Sequence, residues 1–186
     1  MRVVSLADTP PQRWRNGGGV TRELLKWPAQ RDWCVRVSVA DIEDDGPFSA
    51  FLGVERWFCV LEGAGVELTV SGTQTRLRAG DAPLCFDGGA ATSCRLIDGP
   101  TRDLNLMLRG ATGAMTLARH AEPWSPRAAM GGLFAAVAGR CHGTALSAGT
   151  LLWFDSAPAT LCFHADQATA APAGWWIAAT LEEHFA

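Results

Sequence analysis

Residues 60–84 read VLEGAGVELTVSGTQTRLRAGDAPL. Apolar runs flank Gly63 and Gly65, Ser71-Gly72 breaks the pattern, and Ala79-Gly80 precedes a further apolar run. Short runs with a period of two, punctuated by glycine, are the signature of strands joined by tight turns. The pattern extends outward. WCVRVSVA (33–40) sets Val35, Val37 and Val39 on one face against Cys34, Arg36, Ser38 and Ala40 on the other. DLNLMLR (103–109) sets Leu104, Leu106 and Leu108 opposite Asp103, Asn105, Met107 and Arg109. Many short strands at this spacing predict an all-β sandwich or barrel rather than a parallel α/β sheet. One short helix is expected at 126–137, PRAAMGGLFAAV, although its two glycines weaken it.

TRLRAGDAPLCFD (75–87) has an echo in TALSAGTLLWFD (144–155), which shares T-x-L-x-A-G and a closing F-D. A strand entering an Ala-Gly turn, followed by an apolar strand, is what a duplicated barrel unit would show. Two related β-halves are therefore expected, joined near 110–125. Charge is divided unequally between them: residues 1–110 hold 13 Lys/Arg and 14 Asp/Glu, whereas 111–186 hold 3 and 5. The second half reads as packing scaffold and the first as the seat of any chemistry.

The chain of 186 residues is 48% hydrophobic, enough for one domain or two small fused halves. A net charge of −3 without a run of like charge argues against nucleic acid or an anionic membrane as partner. MRVVSLADTPPQ has too short an apolar core for a signal peptide, and no stretch approaches the roughly 20 apolar residues of a membrane span. A cytoplasmic location is expected. The six cysteines form no C-x-x-C pair, and Cys34, Cys59, Cys85 and Cys162 sit in apolar runs, so they read as buried free thiols. His120, His142, His164 and His184 lie far apart in the charge-poor half and have no metal-ligand spacing.

Two constellations remain. In WRNGGGVTRE (14–23), three consecutive glycines match neither a dinucleotide fingerprint nor a phosphate loop. They read either as a flexible turn or as a loop packed over a barrel mouth, with Asn16 and Thr21 making polar contacts. The polar faces of 35–39 and 103–109 are the second. Pointed into a barrel, their charges would need partners, because a buried unpaired charge is costly. Arg36 and Asp103 are expected to satisfy one another, and any arginine left over presents a fork that fits a carboxylate.

The 60–84 stretch resembles the core of the cupin fold, a small jelly-roll barrel. Metal-binding cupins carry an H-x-H with a downstream Glu, and a later His; here GVERWFCVLEG and LCFDGGAATSC hold no histidine. WRNGGGVTRE (14–23), RVSVA (36–40), GPFSAFLGVER (46–56) and DLNLMLR (103–109) together resemble the HutD/Ves family, in order and spacing over about residues 10–110. The resemblance implies a metal-free, cofactor-free, bicupin-like double-stranded β-helix. Residues 1–110 would be a first barrel with the ligand pocket, and 111–186 a second β-half packing against it. It also implies a regulator linked to histidine utilisation or environmental stress, with a small acid such as formylglutamate as ligand. The ligand-binding residues it implies are Trp14, Asn16, Gly18, Thr21, Glu23, Arg36, Ser38, Ser49, Arg56, Asp103, Asn105 and Arg109; Gly17, Gly19, Phe48 and Met107 are further motif positions. Arg15 stands where the family usually has Lys, and Phe86-Asp87-Gly88-Gly89 departs from its F-P-G-D.

Three functions fit this reading. The first is a non-catalytic binder of a small carboxylate. The second is a metal-free isomerase or hydrolase of a small acid, with Asp103 or Glu23 as general base. The third is an interaction module, with a homodimer among the assemblies left open. Product formation together with ligand-induced stabilisation discriminates among them. Because histidines are missing around 54–63 and 85–95, elemental analysis of the purified protein is expected to find no stoichiometric metal. Zinc, iron or manganese near one per chain after dialysis would overturn that expectation.

Overall fold

A computed structural model describes residues 1–29, 32–167 and 171–182; His184 lies outside the described residues. All helix and strand structure among them is β, as the alternation predicts, and none of it is a helix long and apolar enough to cross a membrane. The chain divides into two units, Pro10–Gly110 and Met1–Thr9 with Ala111–Ala186. The opening strand β1 (Arg2–Ser5) pairs with Thr150–Trp153 of the later unit. The first unit thus starts at residue 10 rather than residue 1, because β1 hydrogen-bonds to a strand about 150 residues away.

The first unit contains β2 (Gln12–Arg13), β3 (Gly19–Trp27), β4 (Val35–Ile42), β5 (Gly46–Pro47), β6 (Glu55–Glu62), β7 (Val66–Val70), β8 (Thr73–Leu77), β9 (Leu84–Asp87), β10 (Thr92–Leu96) and β11 (Thr101–Leu108). One sheet runs β2-β3-β4-β11-β6-β9 and the other β5-β10-β7-β8. Counted from β4, the eight strands fall in the orders 1-8-3-6 and 2-7-4-5, which is the jelly roll of the cupin fold. Ile42, Phe58, Val60, Val66, Leu68, Leu77 and Cys94, drawn from both sheets, pack together as a buried core.

The later unit continues with β12 (Ala111–Ala118), β13 (Pro123–Trp124), β14 (Met130–Ala135), β15 (Gly139–Cys141), β16 (Thr144–Leu146), β17 (Thr150–Phe154), β18 (Leu161–Ala165) and β19 (Gly174–Leu181). Its sheets run β1-β17-β14-β19-β12 and β13-β18-β15-β16; β12 to β19 repeat the order of β4 to β11 with each strand eight places later, while β1, β2 and β3 are additions at the sheet edges. The sequence echo falls at equivalent places, on β8 and β16, and both Gly80 and Gly149 have positive φ. This unit's interior holds an apolar cluster. Leu133, Leu152, Phe154, Phe163 and Trp176 pack together, with the Trp124 ring stacked 4.7 Å from that of Trp176.

The helix expected at 126–137 is instead the central strand β14. A Cβ on Gly132 would collide with the Leu152 carbonyl of β17, and one on Gly131 would lie 2.6 Å from the Ile177 carbonyl of β19. The small residues that mimic a helix-forming run are there because two neighbouring strands press on this one. Among the cysteines, Cys34, Cys59, Cys94 and Cys141 are buried, but Cys85 is exposed because its turn along β9 faces outward. Gly132→Ala must displace backbone rather than a side chain. We expect it to cost about 1–3 kcal/mol or more, a melting-temperature drop of several degrees in a thermal unfolding scan. An unchanged melting temperature would show that β14 and β17 can separate freely.

Candidate functional site

On one face of the six-stranded sheet of the first unit, between it and the segments 14–16 and 47–51, lies a cleft of about 510 Å³. Its floor is a grid set by strand register. Arg36, Met107 and Arg56 form one row across β4, β11 and β6; Ser38, Asn105 and Phe58 form the next, and Ala40, Asp103 and Val60 the third. The valines and leucines between these positions point to the opposite face and are fully buried, so apolar burial on one side holds the polar row inward on the other.

Each arginine of the first row reaches diagonally to a polar group. Arg36 Nε donates to Glu23 Oε2 at 2.7 Å, and Arg56 Nε donates to Asn105 Oδ1 at 2.8 Å. Asn105 Nδ2 in turn donates to Asp103 Oδ1. The Arg56 guanidinium lies 4.4 Å from the centre of the Phe48 ring and 5.6 Å from that of Phe86, and only 8% of the residue is exposed. Aromatic faces thus replace part of the hydration that this cation loses.

Asp103 is 1% exposed, and its Oδ2 has no hydrogen-bond partner among the described residues. Burial pushes its carboxyl up to about 8, against the pull of Arg56 and Asn105, with Asp41 adding to the rise. Burial lowers Arg56 to about 10, opposed by Asp103, so it stays a cation at neutral pH.

The wall is the glycine loop. Trp14 Nε1 donates to Thr21 Oγ1 at 2.7 Å, and Asn16 Oδ1 accepts from Gly18 N at 3.2 Å. The three glycines serve different ends. Gly17 has φ +80°, which glycine adopts without strain. At Gly19 a Cβ would strike the Asp41 carbonyl and sit 3.2 Å from the Trp14 ring. Gly18 is in ordinary contact, and its carbonyl accepts from Glu43 N at 2.9 Å. The loop is therefore packed rather than merely flexible.

Trp14, Asn16, Thr21, Arg36, Ser38, Ser49, Arg56, Asp103 and Asn105 all line the cleft. Three expected contacts do not. Gly18 turns its backbone to Glu43, and Glu23 stands behind Arg36 as its ion-pair partner. Arg109 lies past the end of β11 at Leu108, with its guanidinium 4.7 Å from the centre of the Trp33 ring. The expected Arg36–Asp103 pair does not form either, because Glu23 is closer to Arg36 along the sheet diagonal. The cleft also takes in Gln12, Arg13, Arg15, Ala40, Pro47, Phe48, Phe51 and Met107. Ala40 and Met107 follow from strand alternation, whereas the PPQR segment carrying Gln12 and Arg13 has no strand signal. The divergent 86–89 loop contributes Phe86 beneath Arg56, and Gly88 accepts from Phe51 N at 2.7 Å.

The cleft supplies one carboxyl, no imidazole and no thiol, and it presents four arginines. Guanidinium groups donate and do not ligate, so these residues do not fit the divalent metal of metal-binding cupins. No group of three or more His, Cys, Asp or Glu side chains suits a metal elsewhere among the described residues. His120 and His164 meet edge to face at 6.1 Å, and His142 packs on Phe154.

Folded Asp103 holds its proton to about pH 8, whereas an unfolded aspartate releases its own near 3.9. The folded state then binds more protons across that window, so the contribution of this group to stability falls as pH rises through it and levels off above. Asp103→Asn should remove that slope and melt higher than the parent at alkaline pH. Melting curves of the two proteins that run parallel from acid to alkaline pH would contradict the assignment.

The chain is similar to known proteins in sequence and in fold. The HutD family profile matches residues 6–172. A 21.2 kDa protein of the hutC 3′ region of Pseudomonas putida is 36% identical over 111 residues, 58% of this chain and 57% of that protein. Protein Ves of Citrobacter koseri is 38% identical over 111 residues, 59% and 58% of the two chains. The matched part thus spans a little over half the length of these curated relatives. The structure of HutD from Pseudomonas fluorescens SBW25, in a formate condition, is similar at a TM-score of 0.84 with 28% identity, covering 96% of this chain and 97% of that one. With the family profile matched over most of its length, the chain belongs to the HutD family.

Proposed function

We propose that this chain is a non-catalytic, cytoplasmic binding protein that holds a small carboxylic metabolite of the formylglutamate type and thereby modulates histidine utilisation. The observation that carries this reading is Arg56. It is a buried cation, held by Asn105 and stacked on Phe48, and it lines a cleft of metabolite size. With Nε committed to Asn105, the rest of its fork can meet a carboxylate in a low-dielectric setting. Arg13 and Arg15 at the rim suit a second acidic group. The relative from a hutC region supports the link to histidine utilisation.

The general bases that an enzyme would need are poorly placed. Glu23 is engaged by Arg36 and does not line the cleft, and Asp103 carries a proton at neutral pH. Binding without turnover is the better fit. We further propose that the two units, with their common strand order, are copies of one ancestral barrel.

Arg56 also packs, so truncation to Ala would confound binding with collapse of the wall. Arg56→Met keeps most of the volume and removes the charge. In calorimetric titrations with N-formylglutamate and glutarate, the variant is expected to bind about ten- to a hundredfold more weakly, the loss of a charge-assisted contact of about 1.5–3 kcal/mol. Equal affinities would place the site elsewhere, and product formation by the parent protein would favour the enzyme.

A further inference from the structure

The hydrogen-bond chain at the cleft floor has only one possible direction. Arg56 Nε can only donate, so Asn105 must turn its oxygen to Arg56 and its amide hydrogens to Asp103. Asp103 Oδ1 is thereby occupied, and Oδ2 is the atom left over, buried and without a partner among the described residues. Asp103 lines the cleft, and an orphaned buried oxygen on such a residue asks for an explanation.

We propose that Asp103 is the second recognition group of the cleft and meets its ligand as a neutral carboxylic acid, donating Oδ2–H to a carboxylate oxygen of the bound anion, so that an anion entering an ionised cleft binds together with a proton. The inference rests on the carboxylate-binding reading above. An ionised Asp103 would repel the anion that Arg56 attracts, and both would compete for one cation. A protonated Asp103 removes the repulsion and fills the orphan position with a donor.

The groups around Asp103 leave this role to it. From β6 come Arg56 and the Cys59 thiol, from β10 the Cys94 thiol, from β4 Arg36 and Asp41, and from β11 itself Asn105. Burial keeps both thiols neutral, with Cys94 pushed up to about 12 and Cys59 well above its usual value. Arg36 is spent on Glu23, and Asp41 is neutralised by Arg22 at 2.8 Å and Arg102 at 2.6 Å. The rise of Asp103 to about 8 puts its proton in place at neutral pH.

Calorimetric titration of the unmodified protein with glutarate tests this. Affinity should be level below about pH 8 and weaken by about tenfold per unit above it, while Arg56 keeps its charge. At about pH 9, buffers of different ionisation heat should report uptake approaching one proton per anion. Asp103→Asn keeps a donor near the same place but cannot titrate; its affinity should be independent of pH, with no proton exchanged. Binding by the unmodified protein that is flat with pH and takes up no proton overturns the proposal and leaves the carboxylate reading standing. Absence of glutarate binding at every pH overturns both. An Asp103→Asn protein that keeps the parent's pH slope assigns the proton to another group and also overturns the proposal. Should that variant not fold, the proton count on the unmodified protein decides alone.

Discussion

The first unit depends on keeping a charged arginine inside a closed β-structure. Burying a cation costs several kcal/mol unless its donors and its charge are answered. Here the answers come from neighbouring strands: Asn105 one row along on β11, Phe48 after β5, and Phe86 on β9. The β4-β11-β6 register places Arg56 and Asn105 on one diagonal, and a slip of one residue would turn every member of the row outward. The leucines and valines on the reverse face resist that slip, since each would be exposed by it.

Two aspartates on adjacent strands show how local the electrostatics are. Burial pushes Asp41 up, but hydrogen bonds from Arg102 and Arg22 outweigh it and hold the carboxyl below its usual range. Asp103 has only an amide in direct contact, and burial wins. Asp41 is an ordinary cross-strand ion-pair member at the end of the sheet. Asp103 is a proton-carrying group at the floor of a cleft, distinguished by which neighbours the register supplies.

The contrast between the units follows from the same economy. With the same order over eight strands, one interior holds a polar cleft and the other an apolar cluster. Arginine, aspartate and asparagine on β6 and β11 cannot close-pack without satisfying one another. Leu133, Ala135 and Trp176 on the strands of the same rank have no such requirement. The cleft is where polar side chains forbid an apolar core.

The alternation of 33–40 and 103–109 alone determined the strands and which residues share a face, because side chains in a strand have a period of two. The glycine turns and the T-x-L-x-A-G echo likewise made the all-β architecture and its repeated strand pattern readable. The uneven charge pointed to the half that holds the cleft. Alternation does not say where a strand stops, so it makes Arg109 equivalent to Asn105, although β11 ends at Leu108. It does not say which neighbour lies on the diagonal, so alternation leaves Arg36 as free to meet Asp103 as Glu23, its partner in the fold. Nor does composition reveal crowding, so the small residues of β14 read as helix-forming, although the carbonyls of β17 and β19 are what require them. Face and period are properties of a single strand and are written in its residues; partners, strand ends and close approaches belong to pairs of strands, which only the tertiary structure brings together.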